Sequence, residues 1–214
     1  MEVHARISRE WRRRMLFLWA MIFGIALWFL WDGYVAWPAE ADRYAAYREL
    51  FGEEVPAGGD EESPGPEVLR EWREWTAEQG YPESLPKERT AADLREQRLI
   101  GGTLFVLAVL FAAWIAWSHT RSLRAEGETL IAPSGRRVPV DQVFAVDRRK
   151  WDSKGIAYAR YEEDGRRRKL ALDDHKYAGA EAILLEVERR LQVRREEEDR
   201  TGRKASGHRE TPGE

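Results

Sequence analysis

The chain of 214 residues contains no cysteine, and its four histidines are scattered along its length. Disulfide bonds, thiolate nucleophiles, cysteine-based zinc sites and cysteine-ligated iron-sulfur clusters are therefore excluded. The sequence also lacks a glycine-rich phosphate loop, a nucleophile elbow and a paired metal-binding motif. These absences predict a protein without a catalytic site, a cofactor or a metal centre.

Two acidic clusters come nearest to a metal or acid–base site. Asp173-Asp174-His175 lies where the last predicted strand turns into the last predicted helix, so helix capping explains its carboxylates more simply. Asp60-Glu61-Glu62 lacks the alternating ligand spacing of a calcium-binding loop. We expect it to be a solvated charge run.

Charged residues make up 34% of the chain but are missing from two long stretches. Residues 15–31 are near the lower length limit for a helix that crosses a hydrocarbon core of about 30 Å, and residues 99–118 are long enough. Five of the ten tryptophans lie in these stretches, mostly towards an end, where an amphipathic indole favours the membrane interface. Buried helices of a soluble protein would need a larger surrounding core than the rest of the sequence offers. We therefore predict two transmembrane helices.

The first apolar stretch has a second interpretation, a cleaved signal peptide. Arg12, Arg13 and Arg14 precede it as a basic region would, and Ala39-Glu40-Ala41 resembles a cleavage site. Its length and its bulky tryptophan and phenylalanine side chains favour an uncleaved anchor.

Positive charge beside the apolar stretches predicts their orientation. Residues 1–14 contain five arginines and two glutamates, and two further arginines lie in 119–124. In the connecting segment, residues 32–98, acidic residues outnumber basic ones about two to one. Because cytoplasmic flanks are enriched in Lys and Arg, both termini are predicted to be cytoplasmic and the connecting segment external. The expected location is the inner (cytoplasmic) membrane, with the lipid bilayer as a partner.

Small residues recur at a spacing of four in both apolar stretches. Such faces let helix backbones approach closely, which suits packing within the hairpin or between two copies in a homo-oligomer. The residues are Ala20 and Gly24 in the first stretch and Ala108, Ala112 and Ala116 in the second.

The external segment is predicted to hold two short amphipathic helices joined by an acidic linker, residues 52–66, that is rich in glycine and proline. Tyr44 and Tyr47 share a face of the first helix, and Trp72 and Trp75 share a face of the second. These four residues are candidates for binding a sugar polymer or an external protein. The alternative is that the two helices pack on each other or on the bilayer surface.

Thr90, with Asp93 three residues further on, resembles a helix capping box with Asp in place of Glu or Gln. The second transmembrane helix is therefore predicted to begin near Ala91, one or two turns before its apolar stretch.

The segment after the second apolar stretch has the pattern of a small sheet. Turn signals at Pro133-Ser134-Gly135 and Asp164-Gly165 separate strand-like segments within residues 128–174, which predicts about five antiparallel strands. A helix over residues 179–195 carries one apolar stripe that suits an open face of the sheet. Residues 196–214 are polar and are predicted to be disordered.

Two basic clusters mark the predicted domain, residues 122–195. Near a membrane they would be drawn to anionic lipids by about 1 kcal/mol per base, or they would bind a protein partner. The alternative is a solvated rim balanced by acidic neighbours such as Glu162 and Glu163. The tail is only weakly positive and has no nucleic-acid-binding motif, so no nucleic-acid partner is expected. The candidates are Arg148, Arg149, Lys150 and Lys154 in one cluster and Arg166, Arg167, Arg168 and Lys169 in the other.

The order of these elements resembles the small pleckstrin-homology-like (PH-like) domains of bacterial membrane proteins. The resemblance rests on the segments GRRVPVDQV and RRKWDSKGIAY and on the closing amphipathic helix, and it covers residues 122–194. Trp31-Asp32-Gly33-Tyr34 and the overall layout are similar to uncharacterised two-helix bacterial membrane proteins. These resemblances imply a role in binding or assembly.

The predicted fold is thus a membrane α-helical hairpin with a small α+β cytoplasmic domain. The predicted function is that of a membrane-anchored, non-enzymatic interaction or scaffold protein whose domain binds a protein partner or the inner leaflet. Two alternatives stay open. One is a small accessory subunit of an envelope or transporter complex that contacts partners through the external segment, and the other is an enzyme of an unrecognised type.

Overall fold

A computed structural model describes the backbone of residues 2–59 and 62–207 and the side chains as far as Thr201. The chain divides into two compact units, which we call the sheet unit and the helical unit. The sheet unit comprises Met1–Leu16 and Ala113–Glu214, and the helical unit comprises Phe17–Ala112.

Four helices account for the two apolar stretches and the segment between them. Both apolar stretches lie in helices that are long and apolar enough to cross a membrane. Only 6% of the most apolar segment of the first helix is buried, and 17% of that of the second. A π-helical turn, Asp32–Ala36, joins the first helix to the second without a break. The helices are α1 (Arg9–Trp31), α2 (Trp37–Phe51), α3 (Pro66–Gln79) and α4 (Ala91–His119).

Helix α4 begins at Ala91, as predicted, about two turns before its apolar stretch. The Asp93 carboxylate accepts a hydrogen bond from the Thr90 backbone N–H at 2.9 Å, and the Thr90 hydroxyl accepts one from the Asp93 backbone N–H at 3.2 Å. This reciprocal cap confirms the predicted capping box with Asp in place of Glu. Hydrogen bonding by the Thr90 hydroxyl lowers the pKa of Asp93.

The described part of the sheet unit contains eight strands, where the sequence predicted about five. One sheet has five strands, the other has three, and every pairing between neighbours is antiparallel. The strands are β1 (Glu2–Ile7), β2 (Leu123–Glu126), β3 (Thr129–Ile131), β4 (Arg137–Pro139), β5 (Val143–Lys150), β6 (Ile156–Glu163), β7 (Arg166–Asp173) and β8 (Tyr177–Ala178), in the orders β4-β3-β2-β1-β8 and β5-β6-β7, with a short helix α5 (Trp151–Lys154) after β5.

The N-terminal segment, predicted only as a basic flank of the first helix, forms strand β1. It lies between β2 and β8, and its fully buried Ala5 pairs with Leu123. The strand alternates polar and apolar residues, as one buried face requires. It passes into α1 at Ser8, whose hydroxyl accepts a hydrogen bond from the Trp11 backbone N–H at 3.1 Å.

Helix α6 (Ala180–Gly207) covers the core of the sheet unit. It continues to Gly207, where we had predicted an end at Arg195 and disorder beyond it. Residues 196–207 contain no proline and include three Glu, two Arg, one Lys and one Ala, all of which favour a helix. Residues 208–214 lie outside the described part of the chain. The predicted apolar stripe of α6 is buried and consists of Ile183, Leu184, Val187 and Leu191.

Within the helical unit, α1 and α4 meet along a seam of shielded residues spaced alternately three and four positions apart. This is the spacing of left-handed coiled-coil packing. Trp19 Nε1 donates a hydrogen bond to the Ala108 carbonyl at 3.1 Å. A Cβ atom at Gly101 would lie 2.9 Å from the Leu30 backbone nitrogen, so the helices are too close there for a side chain. The shielded residues include Trp19, Ile22, Ala26, Phe29 and Gly33 on one side and Gln97, Gly101, Leu104, Ala108 and Phe111 on the other.

Of the five small residues predicted to mediate packing, only Ala108 is fully buried. Ala112 is half-buried, whereas Ala20, Gly24 and Ala116 are exposed. A strict spacing of four drifts away from a seam that averages 3.5 residues per turn, which explains the difference. Contact between two copies of the chain through the exposed residues stays a prediction.

The four aromatic residues predicted as external contacts contribute to a small core instead. Tyr47 and Trp72 are fully buried with ring centroids 5.2 Å apart, Trp75 stacks on Trp72 at 5.0 Å, and Tyr44 packs against the same cluster. The Tyr47 hydroxyl donates a hydrogen bond to the Pro56 carbonyl at 2.7 Å, which attaches the linker to this core. Packing of α2 on α3 therefore leaves Tyr47 and Trp72 no surface for a ligand. Asp60 and Glu61 lie outside the described residues.

Candidate anion-binding face

The three-stranded sheet β5-β6-β7 turns every second residue away from the core. On β6 the buried residues alternate with Tyr158 and Arg160, which point outward. Arg160 pairs with Lys169 of β7, and Tyr158 pairs with Asp147 of β5. The predicted turn Asp164-Gly165 sets the β6–β7 register, and its φ angles of 50° and 67° are the positive values that a tight primed turn requires. The outward surface of this sheet is called the basic face.

Asp147 organises one half of the basic face. Its carboxylate accepts hydrogen bonds from Arg149 Nε at 3.0 Å, Arg149 Nη2 at 2.8 Å and Arg160 Nη2 at 2.6 Å. These bonds, first those from Arg149 and then that from Arg160, hold the pKa of Asp147 well below its usual range. Two guanidinium groups that share one carboxylate leave this half with a net positive charge.

The other half of the basic face supports its cations on aromatic rings. The Arg167 guanidinium lies 5.6 Å from the Phe144 ring centroid, and the Lys169 ammonium lies 5.0 Å from that of Tyr158. A ring attracts a cation without neutralising it. Among the described residues, no carboxylate forms an ion pair with Lys150, Arg167 or Lys169. These charges are therefore available to an anionic ligand.

The structure brings five of the eight predicted basic residues together and separates the other three. Arg148 turns towards α6 and pairs with Glu188 at 3.1 Å, and Lys154 and Arg166 do not line the face. Arg168 borders the same concavity, but its partner in the β6–β7 register is the buried Tyr161, and it forms an ion pair with Glu163 at 3.0 Å, which agrees in part with the predicted acidic balance. The five that line one concavity of about 710 Å³ are Arg149, Lys150, Arg167, Arg168 and Lys169.

Sequence reasoning missed Phe144, Asp147, Tyr158 and Arg160, which line the same concavity. Tyr158 and Arg160 occupy alternate positions of β6, and this alternation was the signal that could have found them. Asp147 could not be placed in this way, because a register shift between Asp147 and Lys150 interrupts the alternation of β5.

The cluster Asp173-Asp174-His175 is explained by backbone capping, as the sequence suggested. One carboxylate oxygen of Asp173 accepts a hydrogen bond from the Lys176 backbone N–H at 2.9 Å. One of Asp174 accepts from the Glu181 backbone N–H, in the first turn of α6, at 3.1 Å. Within residues 2–59 and 62–207, no group of three or more His, Asp or Glu side chains is arranged to hold a metal ion.

An open, mostly basic concavity of this kind suits an anionic ligand. Arginine offers several N–H donors in a planar fork that matches carboxylates and phosphates. Comparison of the chain with models of protein families, with curated proteins and with solved structures finds no match. The resemblance to PH-like domains therefore stays a prediction.

Proposed function

We propose that the chain is a membrane-anchored, non-enzymatic binding protein in which α1 and α4 cross the bilayer as a hairpin. The observation that carries the proposal is the pairing of β1 with β2. Strand β1 leads directly into α1, and β2 follows directly after α4. Two spanning helices attached in this way to one sheet have their attached ends on the same side of the membrane.

The outward surfaces of the two helices support membrane crossing. Phe17 and Trp28 on α1 are 66% and 71% exposed, and Leu99 and Leu110 on α4 are 69% and 61% exposed. Soluble proteins rarely expose continuous apolar surface of this extent. The same exposure argues against the alternative of buried helices in a soluble core.

Strand β1 also favours an uncleaved anchor over a signal peptide. Cleavage near Ala39-Glu40-Ala41 would remove the strand that lies between β2 and β8. The arginines Arg12, Arg13 and Arg14 before the first apolar stretch, with Arg121 and Arg124 after the second, favour a cytoplasmic sheet unit.

Cysteine labelling tests this topology cleanly because the chain has no cysteine of its own. Single variants Glu2→Cys, Ser63→Cys and Ser134→Cys place a thiol at exposed positions of β1, the connecting segment and the β3–β4 turn. A membrane-impermeant maleimide should label position 63 in intact cells and positions 2 and 134 only after permeabilisation. Labelling of positions 2 and 134 from opposite sides would overturn the hairpin.

We further propose that the basic face binds an acidic segment of a protein partner. The face is a concavity and not a flat surface, so a protruding acidic segment can contact Arg149, Arg160 and the ring-supported cations together. Charge-assisted hydrogen bonds from Arg149, Arg160 and Arg167 would hold the carboxylates. The lipid surface is the competing ligand.

A short polyglutamate peptide serves as the probe, with the full chain in neutral detergent and binding followed by fluorescence anisotropy. The double variant Lys150→Gln/Arg167→Gln should weaken binding about tenfold, and rising salt should weaken binding to the parent chain. The matched control, Arg195→Gln/Arg200→Gln on α6, removes the same charge elsewhere and should have little effect. If the double variant instead loses binding to phosphatidylglycerol-doped micelles and not to the peptide, the partner is the leaflet and the proposed protein ligand is wrong.

A further inference from the structure

A second basic concavity lies in the sheet unit, between the end of α4 and the strands. Its volume is about 460 Å³, and Lys169 lines both this concavity and the basic face. We call it the junction pocket, and its defining residues are Trp114, Trp117, Arg121, Arg136 and Lys176.

Cations and indole rings are in direct contact in and beside the junction pocket. The Arg121 guanidinium lies 3.6 Å from the Trp117 ring centroid. The Lys176 ammonium lies 5.1 Å from that of Trp11 and 5.6 Å from that of Trp114, and these two rings are 5.7 Å apart. Packing on rings fixes the cations while leaving their charge available.

The charge of the pocket is strongly unbalanced. It is lined by the cationic side chains of Arg121, Arg136 and Lys176, and Asp173 is the one carboxylate among the described lining residues. A carboxylate oxygen of Asp173 already accepts the Lys176 backbone N–H at 2.9 Å. Arg136 donates a hydrogen bond to the Tyr161 hydroxyl at 3.1 Å, and this hydroxyl is an uncharged acceptor. The pocket therefore favours an anion.

We infer that the junction pocket binds the phosphate headgroup of an anionic phospholipid. The inference rests on the proposed crossing of the membrane by α4. Trp114 and Trp117, 40% and 53% exposed, lie in the last turns of this apolar helix, where indole rings sit at the membrane interface. Bases just beyond such rings lie in the headgroup layer. The exposed rings of Trp114 and Trp117 then offer an apolar surface beside the headgroup.

A phospholipid fits this arrangement better than a free phosphate ion, because only the lipid uses the polar and the apolar parts together. The test uses the full chain in neutral detergent and counts lipids retained in native mass spectrometry during titration with phosphatidylglycerol. The triple variant Arg121→Gln/Arg136→Gln/Lys176→Gln should raise the apparent dissociation constant at least tenfold. Binding of phosphatidylcholine of equal chain length should change less than twofold.

The matched control is Arg149→Gln/Lys150→Gln/Arg167→Gln, which removes the same charge from the basic face and should change phosphatidylglycerol binding less than twofold. The inference would be overturned if both triple variants lost phosphatidylglycerol binding equally, or if neither lost it. It would also be overturned if millimolar inorganic phosphate displaced the lipid. If the junction variant loses its sheet signal in circular dichroism, Lys176→Gln alone should still weaken binding about threefold. If cysteine labelling supports the hairpin but the chain retains no phosphatidylglycerol, the junction pocket is not a lipid site. The proposed function is then unaffected.

Discussion

The sheet unit and the helical unit use their apolar side chains in opposite directions. In the sheet unit the large apolar residues, such as Leu123 and Ile183, are fully buried beneath strands and helix. In α1 and α4 many large apolar residues, such as Phe17 and Leu110, are exposed, and the seam between the helices is built partly from small residues such as Ala26 and Gly101. The first arrangement is driven by removing apolar surface from water, and the second depends on close backbone contact.

This difference predicts which substitutions each unit tolerates. A charge inside the sheet unit is a severe defect, because nothing there pairs with it. Added bulk in the helix seam is the corresponding defect of the helical unit, because no space exists for it. Each substitution should leave the other unit largely intact.

The largest effect is expected from Ala5→Asp in β1. Ala5 is fully buried between β2 and β8, so the new carboxylate would be desolvated without a partner, at a cost of several kcal/mol. Limited proteolysis of the full chain in detergent should then cut the sheet unit rapidly. His4→Asp adds the same charge on the exposed side of the same strand and should leave the digestion pattern unchanged. Equal sensitivity of both variants would mean that β1 does not form part of the sheet.

Trp72→Ala should have the next largest effect, within the helical unit. Removing this fully buried ring from its contacts with Tyr47 and Trp75 should destabilise the α2–α3 core by about 3–5 kcal/mol. Hydrogen exchange should rise in residues 40–85 and stay unchanged in the sheet unit. The neighbouring exposed Glu71→Ala is the control. Protection that persists in Trp72→Ala would show that the ring contributes little to this core.

Much of the helical unit was predictable because its signals are local. The apolar stretches, the cap formed by Thr90 and Asp93, and the faces of α2 and α3 are each read from neighbouring residues. Packing of α2 and α3 on each other was one of the interpretations of these faces, but the contact between Tyr47 and Trp72 could not be specified, because it joins two helices across a segment of irregular chain.

The sheet unit was less predictable because its decisive contacts are distant in sequence. Strand β1 pairs with a strand that lies more than a hundred residues later, beyond both apolar helices. The alternation of polar and apolar residues in β1 covers only six residues, and the neighbouring arginines are equally typical of the flank of a transmembrane helix. The junction pocket depends on the same long-range fold, since Lys176 meets Trp11 and Trp114 only when β1 and β8 are paired.

Gly101→Leu should have an intermediate effect, on the seam between α1 and α4. The new side chain would meet the Leu30 backbone at a position where even a Cβ atom lies only 2.9 Å away, which should cost about 1–3 kcal/mol. The midpoint of thermal unfolding in detergent should fall. Gly102→Leu makes the same change one residue on, where nothing lies within 4 Å, and should be nearly neutral. Similar losses in both variants would place the helix contact elsewhere.

The smallest effect is expected for Glu186, a half-buried residue of α6. Its carboxylate accepts hydrogen bonds from Arg189 and Arg190, which lower its pKa to about 2 from an ordinary value of 4.5. Because the folded-state pKa is the lower one, the stabilisation is complete above pH 4.5 and is lost as the pH falls towards 2.

Glu186→Gln should therefore cost about 0.5 kcal/mol at pH 7, and the difference from the parent chain should shrink at pH 3. Denaturant unfolding at both pH values, followed by circular dichroism, measures it. Glu198→Gln, further along the same helix and outside the ion pairs of the described residues, is the matched control. A difference that grows on acidification would mean that the arginines do not stabilise the charged form, so that the local pairs of α6 contribute nothing to the stability of the sheet unit.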